Sequence, residues 1–329
     1  MLQSDILIAG AGLIGLSLSL ELAARGAQVT VLDSRVALAQ SSSAAAGMLA
    51  ARDPHNPFAL SGLSDLSLQI YPEFLANIHA RSGVAVPFQT TSTLQYGPDC
   101  TIVRLSEHSL DPRQLSAALL DAVRSTSIIL EENAGPLELA DTPDAIYIRD
   151  ANGAEYTAPT LVHANGAWFR GQGAITPRKG QMLRVRIPES LVLTEVHRSE
   201  RIYIVPRTIG PHAGTALIGA TVEDAGYDLA THQPDLARLR TLAAELLPAL
   251  ASEDDAPQVE AWAGTRPGTA DGLPLLGPIP WSPREFVAAG HFRNGILLAP
   301  GTARVMADLL EGKTPAIDLA PFSPARFER

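Results

Sequence analysis

Residues 4–34, SDILIAGAGLIGLSLSLELAARGAQVTVLDS, restrict the possible folds more than any other part of the chain. Ile6 to Ala9 is an apolar run of strand length, followed by Gly10, Gly12 and Gly15. Leu16, Leu18, Leu20 and Leu22 then fall in a helix that stops at Gly26, and a second apolar strand, Val29 to Leu32, ends in Asp33. Strand, glycine turn, helix, strand and acid in this order make a dinucleotide-binding unit. The first glycine permits the tight turn, the second lets backbone approach a pyrophosphate, and the third lets helix and strand pack closely. The helix N-terminus offers free N–H groups to the phosphates. Asp33 is placed to accept hydrogen bonds from an adenosine ribose, which favours FAD or NAD over NADP.

Composition narrows the class. A chain of 329 residues exceeds one ordinary hydrophobic core, so two domains are expected. The apolar content of 46% and mean hydropathy of +0.09 suit a well-packed soluble protein. A net charge of −10 and the absence of any Lys/Arg run argue against a nucleic-acid surface. The single cysteine, Cys100, excludes an internal disulfide and any multi-cysteine metal site, and fits a reducing, cytoplasmic setting. The apolar run from residue 6 is broken by glycines and serines and ends in charge at Glu21, so it reads as buried strand and helix rather than a membrane span.

Further along, a helical pattern covers Phe58 to Arg81, with Pro72 expected to kink or divide it. Asp111 and Pro112 read as N-cap and first residue of another helix. Asn152-Gly153 marks a hairpin. From Gln181 to Ile187 side chains alternate as in an antiparallel strand, and strands at Arg201–Pro206 and Thr215–Thr221 follow. A helix near Pro234 to Leu247, a strand at Phe286–Ala289 and a last helix ending near Gly312 complete the pattern. The segment SSSAAAGMLAARDP, residues 41–54, has two readings: a flexible linker, or nearly bulk-free backbone running along a cofactor with Met48 and Leu49 under an aromatic ring.

Several blocks resemble the D-amino-acid oxidase superfamily of FAD enzymes, and within it the glycine oxidases of thiamine biosynthesis. They are SAAAGMLA (43–50), VHANGAWFRG (162–171), RKGQMLRV (178–185), RIYIVPR (201–207), WAGTRPGTADGLPLLGP (262–278) and FVAAGHFRNGILLAPGTARVMADLLEG (286–312). They occur in order along nearly the whole chain. One region departs: between Tyr96 and His108 only a short connection stands where relatives carry a longer excursion, which leaves lid structure and subunit contacts open.

The resemblance implies an α/β fold with a Rossmann-type FAD-binding domain (residues 1–44, 104–173 and 262–329). A discontinuous α+β substrate domain (45–103 and 174–261) is built on a mixed, largely antiparallel sheet. The cofactor would be held by Gly10, Gly12, Leu13, Ile14 and Gly15, then by Asp33, Ser34 and Arg35. Further contacts would come from Ser42, Ser43, Ala46, Gly47 and Met48, from Pro136 and Gly166, and from His291, Phe292, Arg293, Asn294, Gly295 and Ile296. The implied reaction moves a hydride from Cα of an amino acid with a neutral amine to flavin N5. The imine yields keto acid and ammonia, and oxygen reoxidises the flavin with formation of hydrogen peroxide. No side-chain acid or base and no metal are required. Partners would be a small amino acid and molecular oxygen, with a homo-oligomer possible.

Arg266 is the central candidate. A planar guanidinium gives two parallel charge-assisted hydrogen bonds to a carboxylate, fixing rotation as well as position. From the residues alone it either grips a substrate or pairs with an internal acid such as Asp271; the resemblance places it on the carboxylate-binding arginine. Tyr203 either packs as an ordinary strand tyrosine or, as the resemblance implies, donates to the same carboxylate. Met48 and Arg293 complete the implied substrate contacts. His291 reads as a structural group, and Lys179 matches a basic position without a defined role. Arg201 and Val222 fall near the pocket where relatives vary. The open alternatives are a sarcosine or broader D-amino-acid oxidase, a dehydrogenase using another acceptor, a non-catalytic flavin-binding protein, and an NAD-dependent reductase.

Overall fold

The computed structural model of the protein describes residues 1–142, 144–171 and 174–327. Two sheets carry the architecture. A six-stranded sheet has the spatial order Leu275–Ile279, Ser282–Ala289, Thr160–His163, Ile6–Ala9, Val29–Leu32, Ile129–Glu131. It is parallel except for its first pair. Ile6 to Ala9 and Val29 to Leu32 are buried at every position, as strands covered on both faces must be. Helix α1 (Leu13–Ala24) leaves the first strand through the glycine turn and packs against the closing helix of the chain.

The second sheet has seven strands, in the order Gln258–Gly268, Thr176–Arg186, Thr215–Gly219, Tyr203–Arg207, Val196–Arg198, Thr93–Tyr96, Ile102–Leu105. Only the pair Val196–Arg198 with Thr93–Tyr96 is parallel, so the sheet is mixed and largely antiparallel. The short connection after Tyr96 is a tight hairpin whose outer strand, Ile102–Leu105, forms one edge. One face packs Leu183, Val185, Ile204 and Ile218 against Leu236, Leu239 and Ala243. The last three belong to a helix over Gln233–Leu246. The opposite face carries Met182, Tyr203, Val205 and Leu217, which pack with Ala46 and Met48. Both faces are covered, so Lys179 to Val185 are buried without the in–out alternation expected of a half-exposed strand.

The helix over Ser61–Ser82 runs through Pro72 without dividing, which corrects that half of the expectation. Asp111 caps the helix over Pro112–Arg124 by accepting from Arg113 N at 2.9 Å. The Asn152-Gly153 turn joins antiparallel strands Ile146–Arg149 and Glu155–Ala158. The domain divisions drawn at 103/104 and 261/262 fall inside strands of the seven-stranded sheet, and the 173/174 division touches a position outside the described residues.

Candidate active site

A cavity of about 830 Å³ lies between the two sheets. Its floor is the glycine turn. Gly10 sits at φ 117°, and a Cβ there would stand 2.6 Å from Ala164 O. A Cβ on Gly15 would meet Gly10 O at 2.0 Å, so Gly15 serves close packing behind the cavity and does not line it. Gly12 differs: its missing Cβ would find nothing nearer than Ser42 Oγ at 3.6 Å, and its open side faces the cavity. The N-cap residue of α1, Gly12, has no side chain, and with Leu13 N engaged by Ser42 Oγ the helix dipole and the next N–H groups are left to a ligand. These features fit the pyrophosphate of FAD.

Asp33 lines the same cavity and does a second job. Its Oδ2 accepts from Ala11 N at 2.7 Å and its Oδ1 from Arg35 N at 2.9 Å, so it braces the glycine turn. Burial raises its pKa, with the backbone hydrogen bonds working against that rise. The Arg35 guanidinium lies 5.8 Å from the Trp168 ring, and Trp168 stacks on Tyr227 at 5.3 Å. Sequence reading did not single out Trp168 or Tyr227.

The serine–alanine segment is not a free linker. Ser41 Oγ donates to Thr265 O, Trp262 Nε1 donates to Ala44 O at 3.0 Å, and Arg207 Nη2 donates to Ala46 O at 2.8 Å. Ser42 Oγ accepts from Leu13 N at 3.0 Å. Ser42, Ala46, Gly47 and Met48 line the cavity, whereas Ser43 turns its hydroxyl to Gln40 O. Pro136, Gly166, Ser34 and Ile14 also line it. Arg207 is almost wholly buried, and desolvation brings its pKa down to about 10, with Asp111 opposing the fall.

The third limb is the turn before the helix over Gly295–Leu310. Phe292 takes a left-handed φ of 44° and donates its N–H to Pro267 O at 2.9 Å. Asn294 Nδ2 donates to Asn56 Oδ1 at 2.9 Å, and the helix start has no side-chain cap. The run His291 to Ile296 lines the cavity, so this second helix N-terminus faces a place where negative charge would be stabilised. His291 is buried against Thr302 Oγ1 at 3.0 Å, and desolvation pushes its pKa down to about 3. It is a neutral structural group.

Arg266, Tyr203, Met48 and Arg293 meet on the wall of this cavity. Arg266 projects from the strand Gln258–Gly268 across its neighbour, and its guanidinium occupies the space a Cβ on Gly180 would fill, at 2.2 to 2.5 Å. The expected rival partner, Asp271, is engaged by Arg326 Nε at 2.7 Å. Among the described residues Arg266 Nη1 bonds only to backbone carbonyls, Thr221 O at 3.1 Å and Lys179 O at 3.5 Å. Burial pushes the guanidinium pKa down, partly offset by the nearby Tyr203 hydroxyl. A desolvated cation without a carboxylate partner is relieved by an anion. Tyr203 leans over Gly219, where a Cβ would lie 2.7 Å from its hydroxyl, and this hydroxyl is 3.1 Å from Met182 Sδ. Gly180 and Gly219 thus make room for the two polar side chains, and neither was singled out in sequence.

Lys179 now has a role. Its fully buried ammonium contacts Asp228 Oδ2 at 2.7 Å and Glu223 Oε2 at 3.7 Å, away from the cavity wall. Its carbonyl supports Arg266. Arg201 and Val222 do line the cavity, with Arg201 paired to Glu245.

Comparison with known proteins agrees with this geometry. The family described as DAO, FAD dependent oxidoreductase, matches residues 5–104 and 101–309. A glycine oxidase from Geobacillus kaustophilus is 30% identical over 374 residues, covering 98% of this chain and 97% of that protein. The bifunctional protein ThiO/ThiG of Trichormus variabilis is 33% identical over 99% of this chain, which spans 55% of that protein. The crystal structure of the Geobacillus kaustophilus glycine oxidase superposes with a TM-score of 0.92 at 28% identity, covering 100% of both chains. With the glycine turn, the bracing acid and the two helix N-termini converging on one cavity, the chain belongs to the DAO family of FAD-dependent oxidoreductases.

Proposed function

We propose that this enzyme oxidises glycine or a similarly small amino acid, with Arg266 as the carboxylate clamp. The observation that carries this reading is the Arg266 guanidinium: part-buried, without a carboxylate partner among the described residues, and placed on the wall of the dinucleotide cavity beside Tyr203. When bound, FAD supplies the two-electron acceptor that takes the hydride from the substrate Cα and passes the electrons to oxygen.

The chain's own residues bind and orient. Arg266 takes the carboxylate through its forked N–H groups, and the Tyr203 hydroxyl donates to the same group, so Cα is aimed along one direction. Met48, Met182 and Ala220 give the surrounding wall an apolar lining that excludes water and strengthens both contacts. With its pKa lowered by burial, His291 stays uncharged near neutrality and is a weak base, in keeping with a reaction that depends on alignment rather than proton transfer. The uncapped start of the helix over Gly295–Leu310 favours negative charge where it meets the cavity. The names of the glycine oxidases among the relatives support glycine as substrate. Reduction of oxygen to hydrogen peroxide, a cytoplasmic location and a place in thiamine biosynthesis belong to the same reading.

Peroxide release by the yellow holoenzyme across glycine, sarcosine, D-alanine and D-proline tests it. Turnover of glycine or sarcosine is expected. Flavin that none of the four reduces under anaerobic conditions would overturn the proposal.

A further inference from the structure

The second arginine on the pocket wall, Arg293, differs from Arg266 in having a carboxylate within ion-pair distance. Its Nη2 lies 3.7 Å from Asp53 Oδ2. Asp53 in turn has Arg198 Nη1 at 4.0 Å from the same oxygen, and Arg198 Nη1 stands 3.0 Å from Glu107 Oε2. Asp53, Arg198 and Glu107 expose only 7%, 2% and 1% of their side chains. Four charges therefore alternate in a row from the pocket inward, cation, anion, cation, anion, and sum to zero.

The row has a specific support. Arg198 Nε donates to Gln95 Oε1 at 2.6 Å, and Gln95 and Glu107 flank the short hairpin after Tyr96. Asp53 Oδ1 accepts from His55 N at 2.9 Å and contacts His55 Nδ1 at 3.0 Å, which fixes its carboxylate plane. Burial of Asp53 opposes its ionisation, yet Arg293 and Arg198 hold its carboxyl below the usual carboxylate range. The carboxylate is thus charged and aimed at Arg293, on a wall that both residues line.

An unpaired Arg293 would give this wall a second cation beside the clamp. It is close enough to Arg266 to lower that guanidinium's pKa. Two free guanidinium groups would select a substrate with two anionic groups; one selects a monocarboxylate. We propose that Asp53 sets the charge selectivity of the substrate pocket: by neutralising Arg293 it leaves Arg266 as the cation that meets the substrate, and it restricts the enzyme to amino acids with a single carboxylate and an uncharged remainder. Arg198 and Glu107 are positioning residues that keep Asp53 ionised and in place. This inference rests on the clamp reading of Arg266.

The test titrates holoenzyme with acetate and malonate, one and two carboxylates, following the flavin absorbance. In the native enzyme malonate should bind no more tightly than acetate. Asp53→Asn should raise malonate affinity by roughly tenfold or more, the scale of one charge-assisted hydrogen bond, with acetate affinity little changed. Asp53→Ser should shift the ratio the same way, and the double variant D53N/R293Q should lose the gain. Bound flavin per chain verifies that each variant is folded. A malonate-to-acetate ratio in both Asp53 variants within about twofold of the native value, a free-energy change well under 1 kcal/mol, would overturn the inference. Arg266→Ala weakens both ligands together, so failure of the clamp reading is seen separately from failure of the selectivity.

Discussion

At the scale of single residues, the site depends on side chains that are missing as much as on those present. Gly180 has no unusual φ; its role is the space occupied by the Arg266 guanidinium. Gly180→Ala should displace that guanidinium and lower kcat/KM by about tenfold or more, mainly through KM, while bound FAD per chain stays near the native value. Unchanged steady-state kinetics would show that the guanidinium position does not matter. The sequence showed Arg266 and Tyr203 as chemistry-bearing residues, because a cation in a run of small residues and a tyrosine between apolar strand neighbours are conspicuous. It did not show Gly180 or Gly219, because a glycine that yields space to a residue 86 positions away looks like any other strand glycine. Asp53 was equally hidden. Its partners, Arg293 and Arg198, come from segments brought together only by the tertiary fold.

At the scale of elements, the glycine turn and α1 were legible in full, since turn, helix packing and ligand approach each need a glycine at a fixed spacing. Gly12→Ala should leave the fold intact, because a Cβ there meets no protein atom closer than 3.6 Å, yet it should block the approach of FAD. A folded, colourless variant is the expected product; a yellow one would contradict the assignment. The helix over Gly295–Leu310 and the buried His291 before it make a different prediction. The native imidazole titrates at about 3 and the unfolded one near 6.5, so only the unfolded chain gains a proton between these values. Its contribution to stability is complete above pH 6.5 and is lost as pH falls toward 3, at up to about 1.4 kcal/mol per pH unit. Urea midpoints from pH 7 to pH 4.5 should therefore fall more steeply in the native protein than in His291→Gln; parallel profiles would contradict this. The serine–alanine segment shows where sequence reading stops. Composition alone allowed a linker, and only the bonds from Trp262, Arg207 and Ser41 define its course.

At the scale of the whole molecule, the cavity is a seam. Gly10, Asp33 and Asn294 reach it from the six-stranded sheet and its helices, while Tyr203, Arg266 and Gly180 reach it from the seven-stranded sheet. Arg207 ties the second sheet to the segment that crosses between them. A cofactor bound there touches both halves, so it should stabilise them together. At free FAD about 100 times its Kd the gain is about 2.7 kcal/mol, visible as a single melting transition that moves upward with added FAD. Melting that ignores FAD would argue that the halves are not joined through the cavity. The alternation of elements made the two-sheet plan readable from sequence. The boundaries within strands, and the burial of both faces of Thr176–Arg186, depend on which elements pack together and were not readable.

The proposed function stands on the Arg266 guanidinium gripping the substrate carboxylate and aligning it over the cofactor. It is tested most directly by kcat/KM for glycine in native protein, Arg266→Lys and Arg266→Ala, each with its FAD content measured. Full flavin occupancy is expected in all three, with a loss of roughly 2 kcal/mol or more in the alanine variant, of which lysine recovers only part because it lacks the fork. Glycine turnover by Arg266→Ala at the native kcat/KM would contradict it.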